Sequence, residues 1–203
     1  MIKMPQKSEF TNFRGWFNLI EVDSELYAKY GKLLHEKYHL PIEKIARIIL
    51  GLTNKNLILG KEGPFHNLMV ETGRELHAHL MINDVSVYAG YVHPTYIHVG
   101  SGTASPTVDD WKLQTPWVSG GIYEILTAEI LDMSHCRWEA AIASGDSGTL
   151  AEAGLFLQNT APSTNPQADP SQRPFSMLHR AMFVPPIVKS VGTTEVIQYE
   201  AIF

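Results

Sequence analysis

The residues of this 203-residue chain best suited to chemistry are its nine histidines, two serines in a glycine-rich string, and a single cysteine. His77 and His79 stand two apart. On a helix that spacing sets the rings about 200° apart, so they cannot share an ion; on a strand they could. His93, His98 and Glu152 could form a His/His/Glu metal site if neighbouring strands brought them together. The plainer alternative is histidines that are exposed or hydrogen-bonded. Ser144 and Ser147 are nucleophile candidates in the string Ala143-Ser-Gly-Asp-Ser-Gly148, but a tight hairpin turn over Gly145–Gly148 explains the same residues without catalysis. Cys136 alternates with Trp138 and reads as a core residue rather than a reactive thiol. Gly100-Ser-Gly-Thr103 lacks the lysine of a phosphate-binding loop. Asp109, Asp110 and Glu124 offer oxygens without the spacing of a calcium-binding loop. The expectation is therefore no catalytic residue, no metal and no cofactor.

Such residues act only if a fold positions them, and composition bounds that fold. One cysteine excludes an internal disulfide framework and any CxxC-type zinc site. No apolar run approaches the ~20 residues of a membrane span, and no basic stretch leads into an apolar one at the start, so neither a membrane partner nor a secretory leader is expected. With 16 Lys+Arg against 21 Asp+Glu and few basic clusters, nucleic acid is not an expected partner either. Charged residues make up 18% of the chain, against about 25% in ordinary soluble domains. Low charge suits a surface that neighbours cover.

The pattern changes along the chain. Residues 1–82 are expected to form an N-terminal arm and a helical region, and residues 83–203 an antiparallel β-sandwich, jelly-roll-like, giving an α+β protein. Asp23 precedes a run of apolar residues three and four apart (Leu26, Tyr30, Leu33, Leu34), which predicts a helix. Pro41 starts a second helix carrying Ile42, Ile45, Ile48 and Ile49, ended by Gly51 and Asn54-Lys-Asn56. Lys61-Glu-Gly-Pro64 reads as a turn, and 67–81 as an amphipathic helix with Gly73 as a soft spot. Asp109 and Asp110 can cap a short helical turn at Trp111–Leu113. From residue 96 the period becomes two: Ile97 and Val99; Cys136, Trp138, Ala140 and Ile142; Ile197, Tyr199, Ala201 and Phe203. Alternation of this kind predicts one buried and one wet face. In 150–157 it puts Leu150, Glu152, Gly154 and Phe156 on one face. Pro185-Pro186 is expected to end a strand or sit at an edge. Residues 159–174 read as a polar, proline-rich loop.

Three segments carry a resemblance: NLMVETGRELHAHLM (67–81) followed by YIHVGSGTASPTVDDWKLQTPW (96–117), RWEAAIASGDSGTLAEAGLFLQ (137–158), and FSMLHRAMFVPPIVKSVGTTEVIQYEAIF (175–203). In this order and spacing they resemble a group of tailed-bacteriophage structural proteins of the tail, neck or minor virion type. The resemblance spans residues 67–203 and implies a structural role in the virion, with no catalytic residues to carry over. The short Gly-Asp-Ser-Gly string also looks like the nucleophile motif of chymotrypsin-type proteases, but a chain of this length shows no His…Asp…Ser framework to go with it.

The virion reading makes other virion proteins and further copies of this chain the expected partners. Phe10, Phe13, Trp16 and Phe17 are then candidate contacts of an N-terminal arm on a neighbouring subunit; alternatively they pack on the chain's own core. Trp111 and Trp117 are further contact candidates and, with Tyr123, could instead stack on a sugar. The other alternative is a jelly-roll enzyme or sugar-binding module with a histidine metal site.

Overall fold

The computed structural model describes residues 14–81, 86–90, 93–117 and 121–202. Nine antiparallel strands form one curled sheet in the order β4-β3-β7-β8-β2-β1-β9-β6-β5. They are β1 (Arg14–Val22), β2 (Ile58–Met69), β3 (Tyr96–Gly100), β4 (Ile122–Glu124), β5 (Thr127–Ile130), β6 (His135–Ile142), β7 (Gly148–Phe156), β8 (Met177–Lys189) and β9 (Thr194–Ile202). The helices are α1 (Ser24–Leu26), continued by a π turn at Tyr27–Gly31 into α2 (Lys32–Glu36), then α3 (Ile42–Thr53) and α4 (Glu71–Met81). The α+β class and the antiparallel sheet thus agree with the sequence. The helical first third also supplies β1 and β2, which lie in the middle of the sheet between β8 and β9.

The inner face holds the main core. Phe17 and Leu19, Ile97 and Val99, Ala140 and Ile142, Ala153 and Leu155, and Ile197 and Tyr199 meet there from strands on both sides of β2. The two edges come together at the β4–β5 link. Ile125 donates its backbone N–H to Thr95 beside β3, and Leu126 donates to Glu139 on β6.

Both outer faces are covered as well. Ile42, Ile45 and Ile49 of α3, with Leu26 and Tyr27, pack on Ile20, Val22 and Val196. On the other half, Leu113 of the 101–117 loop packs on Phe156, and Leu76 of α4 on Leu157 and Leu178. The wet face expected for β9 is therefore dry: Gln198 and Glu200 are buried. Alternation shows that one face is apolar; it cannot reveal that helices from elsewhere will cover the polar one.

Local expectations fare differently. Asp23 caps α1, accepting from the backbone N–H of Glu25 at 3.0 Å and Leu26 at 2.9 Å. The α3 helix runs past Gly51 and closes on Asn54, which adopts the left-handed conformation at φ 56°. The 61–64 turn is instead part of β2, where Gly63 (φ 119°) sits in an irregularity that lets Phe17 pair with Phe65 and Leu19 with Glu62. Residues 67–69 are also strand, and the helix begins at Glu71. Pro185 and Pro186 lie within β8, in a register shift where no ladder hydrogen bond is required of them. The same shift brings Leu150 to the inner core with Ala153 and Leu155, while Glu152 stays on the outer face.

Candidate functional site

Charged residues that could serve a reaction are instead paired inside the fold. Arg180 on β8 is fully buried. Its Nε donates to Glu152 Oε2 at 3.0 Å, one terminal nitrogen to Asp110 at 2.6 Å, and the other to the carbonyl of Ala104 at 3.0 Å. Glu152 in turn accepts from the backbone N–H of Gly102 at 3.1 Å, Gln114 at 3.1 Å and Thr115 at 2.7 Å. A buried ion pair with its lone pairs satisfied in this way fixes geometry. Here it clamps both ends of the 101–117 loop to the sheet. Asp110 also accepts from the N–H and hydroxyl of Thr107, so it caps the turn before it; residues 111–113 form no helical turn.

A second buried cluster lies between the sheet and α1–α3. Glu139 on β6 accepts from Gln198 Nε2 and from the N–H of Ile42, each at 2.8 Å. His35 Nε2 lies 3.4 Å from Oε2, the oxygen that also receives Ile42, and His35 Nδ1 is 2.8 Å from the Tyr27 hydroxyl. Burial opposes the charge on Glu139, but these neighbours outweigh it and hold the carboxyl below its ordinary range. Burial pushes the Tyr27 phenol far up. Tyrosine, histidine and carboxylate stand in line as in a proton relay, yet all three are buried and their partners are structural. Periodicity gave no sign of this network, because Gln198 and Glu139 occupy positions that look wet.

The metal candidates do not converge. His98 Nε2 is 3.2 Å from the carbonyl of Gln158, the ring stacks on Phe156 at 3.9 Å, and Glu152 is held by Arg180. His93 is exposed. His77 and His79 are on a helix, as expected. Among the described residues no group of three His, Cys, Asp or Glu side chains could hold a metal ion. Ser144 and Ser147 are exposed on the link between β6 and β7. These strands are not paired with each other, so the expected hairpin over Gly145–Gly148 is not formed. The tight turn is the one Asp146 closes by donating its N–H to Ala143, with Gly148 already in β7. Cys136 is half-buried near the β5–β6 hairpin rather than in the core, with its thiol pushed up by burial and by Asp132.

The aromatic candidates scatter. Phe10 and Phe13 lie outside the described residues. Phe17 is buried against Tyr199, ring centroids 4.8 Å apart, which removes it from any outward contact. Trp16, on the opposite face of β1, is half-buried beside His135 at 5.7 Å. Trp117 donates its indole N–H to the Thr149 carbonyl at 3.0 Å and packs over Gly148, bracing the start of β7. Trp111 is half-buried with the Lys112 ammonium 4.6 Å from its ring. Tyr123 is buried, its hydroxyl donating to Asp146 at 2.9 Å, so the three rings do not offer a common sugar platform.

Sequence reasoning passed over exposed apolar side chains grouped on particular elements. Ile130, Leu131 and Met133 crown the β5–β6 hairpin. Val184, Val188 and Val191 line the end of β8 and the turn after it. Leu33, Tyr38, Leu50 and Leu52 lie on the α2–α3 side. No family model, curated protein or solved structure matches the chain.

Proposed function

We propose that this chain is a non-enzymatic structural component of a tailed-phage virion, at the neck, tail or capsid surface, acting through contacts with copies of itself and with other virion proteins. The observation that carries the proposal is where charge and apolar surface lie. Six charged residues of an already charge-poor chain (Glu139, Glu152, Arg180, Lys189, Glu195 and Glu200) are buried, while Ile130 and Met133 are exposed on the β5–β6 hairpin and Val184 and Val188 in the second half of β8. Exposed apolar side chains grouped on one element suit a covered surface. The clamped 101–117 loop suits a part whose shape must be fixed before assembly. As part of the same proposal the curled sheet is jelly-roll-like, an architecture that viral capsid domains use.

Particles purified from a phage encoding this chain should contain it at a fixed copy number, and a reconstruction should place it on the neck, tail or capsid surface. Paired Ile130→Glu and Met133→Glu substitutions should block incorporation while leaving the melting temperature of the free chain unchanged. Particles that lack the chain, or a purified protein that stays monomeric and binds no virion component, would overturn the proposal.

A further inference from the structure

The pairing of β2 with β8 is confined to Asn67–Met69; residues of β2 before Asn67 follow β1, and residues of β8 after Ala181 follow β7. Phe65 and Phe183 still touch, ring centroids 4.8 Å apart. Beyond them the inner face carries charge. Glu195 on β9 stands directly opposite Glu21 on β1, and Glu62 on β2 is opposite the core residue Leu19. Like charges in register destabilise a sheet unless something neutralises them. Glu195 is only 6% exposed, and its Oε2 has no hydrogen-bond partner. The cation that faces it, Lys189 on β8, is committed elsewhere: its ammonium donates to the carbonyls of Asp146 and Thr193, each at 2.7 Å, and of Ser190 at 3.4 Å. The Asp146 carboxylate is taken by Tyr123.

We propose that Glu21, Glu62 and Glu195 form a receptor for a cationic side chain, an arginine or lysine of a neighbouring protein chain. A buried carboxylate without a hydrogen bond is costly and calls for a counter-charge. A metal ion fits less well, because no three such groups of the described residues converge closely enough to hold one. A guanidinium is broader and carries five donors in a flat fork, so it can reach carboxylates that are spread apart. Burial, reinforced by Glu21 and Glu62 and opposed by Lys189, pushes the Glu195 carboxyl up to about 7; a bound cation would bring it down. That the donor belongs to a companion subunit rests on the assembly proposal, whereas the cation site itself does not.

The test is an NMR titration of the full chain at pH 7.5 with Nα-acetyl-arginine amide. Acetyl-citrulline amide serves as the neutral isostere, and calcium chloride is run at matched ionic strength. The arginine probe should give saturable shifts at the amides of Glu21, Glu62 and Glu195, at least tenfold weaker with citrulline and in Glu195→Gln, and should lower the Glu195 carboxyl titration in step. Glu62→Gln, at an exposed position, provides the same comparison should Glu195→Gln fail to fold. No saturable shift, equal shifts in the variants, or saturation by calcium in place of the arginine probe would overturn the site. Because the probe is a small molecule, its failure condemns the site and leaves the virion role standing, while failed incorporation into particles does the reverse.

Discussion

The most instructive single residues are polar ones hidden where alternation suggests water. Arg180 and Glu152 hold each other and the 101–117 loop together, and breaking a buried pair leaves an uncompensated charge, typically at a cost of about 3–5 kcal/mol. Arg180→Ala should therefore lower the unfolding free energy by that order, read as a lower urea midpoint. Glu152→Gln should in addition speed hydrogen exchange at Gly102, Gln114 and Thr115, whose N–H groups it receives. Buried histidines set the acid side of stability. Burial lowers His98 to about 4, with the Gln158 carbonyl opposing, and lowers His179 to about 3, with His77 adding to the effect. The unfolded imidazoles take up protons near 6.5, so their contribution is full above pH 6.5 and is lost as the pH falls through about 4 and 3. Glu195 works the other way. Its contribution is full below its unfolded value of 4.5 and is lost as the pH rises through about 7. Urea unfolding followed against pH should show wild type losing stability on acidification below 6.5. The difference between wild type and Glu195→Gln should shift in favour of wild type as the pH falls from 7 to 4.5.

Elements explain which parts of this were readable. The Asp23 cap, the Ile42–Ile45–Ile49 stripe of α3 and the alternation of β3, β6 and β9 announce themselves, because each depends on neighbours close in sequence. The strand through Lys61–Pro64 does not, since glycine and proline there signal a turn and only pairing with distant β1 makes them a bulge. The Glu139 cluster is hidden for the same reason: its partners His35 and Gln198 come from a remote helix and strand. Gly73 shows a local signal with a non-local cause. It looks like a weak point in α4, but a Cβ there would meet the Leu178 carbonyl oxygen well inside van der Waals contact. Glycine is what lets α4 lie against β8. Gly73→Ala, a helix-favouring change by propensity, should therefore destabilise by about 1–3 kcal/mol through overpacking, read as a lower melting temperature. A stabilising effect would show that α4 can move away freely.

At the scale of the whole molecule, composition divides the chain where the sheet does not. The first third looks like an attachment to a β domain, yet β1 is hydrogen-bonded along its whole length to β9, and β2 joins it to β8. Removing residues 1–82 would delete the two central strands, separate β8 from β9 in the ladder and uncover Phe183, Ile197 and Tyr199 of the main core. It would also strip α1–α3 from the outer face and expose the carboxylate of Glu139 without its bond from Ile42. A fragment of residues 83–203 should therefore lack a cooperative thermal transition and bind dyes that report exposed apolar surface. Residues 14–203 should retain one, since all nine strands of the described residues are kept. The same comparison bears on assembly. If the 83–203 fragment melted cooperatively, the sheet could close without its centre, and the N-terminal third would be free to act as a detachable arm rather than as an integral part of the sheet.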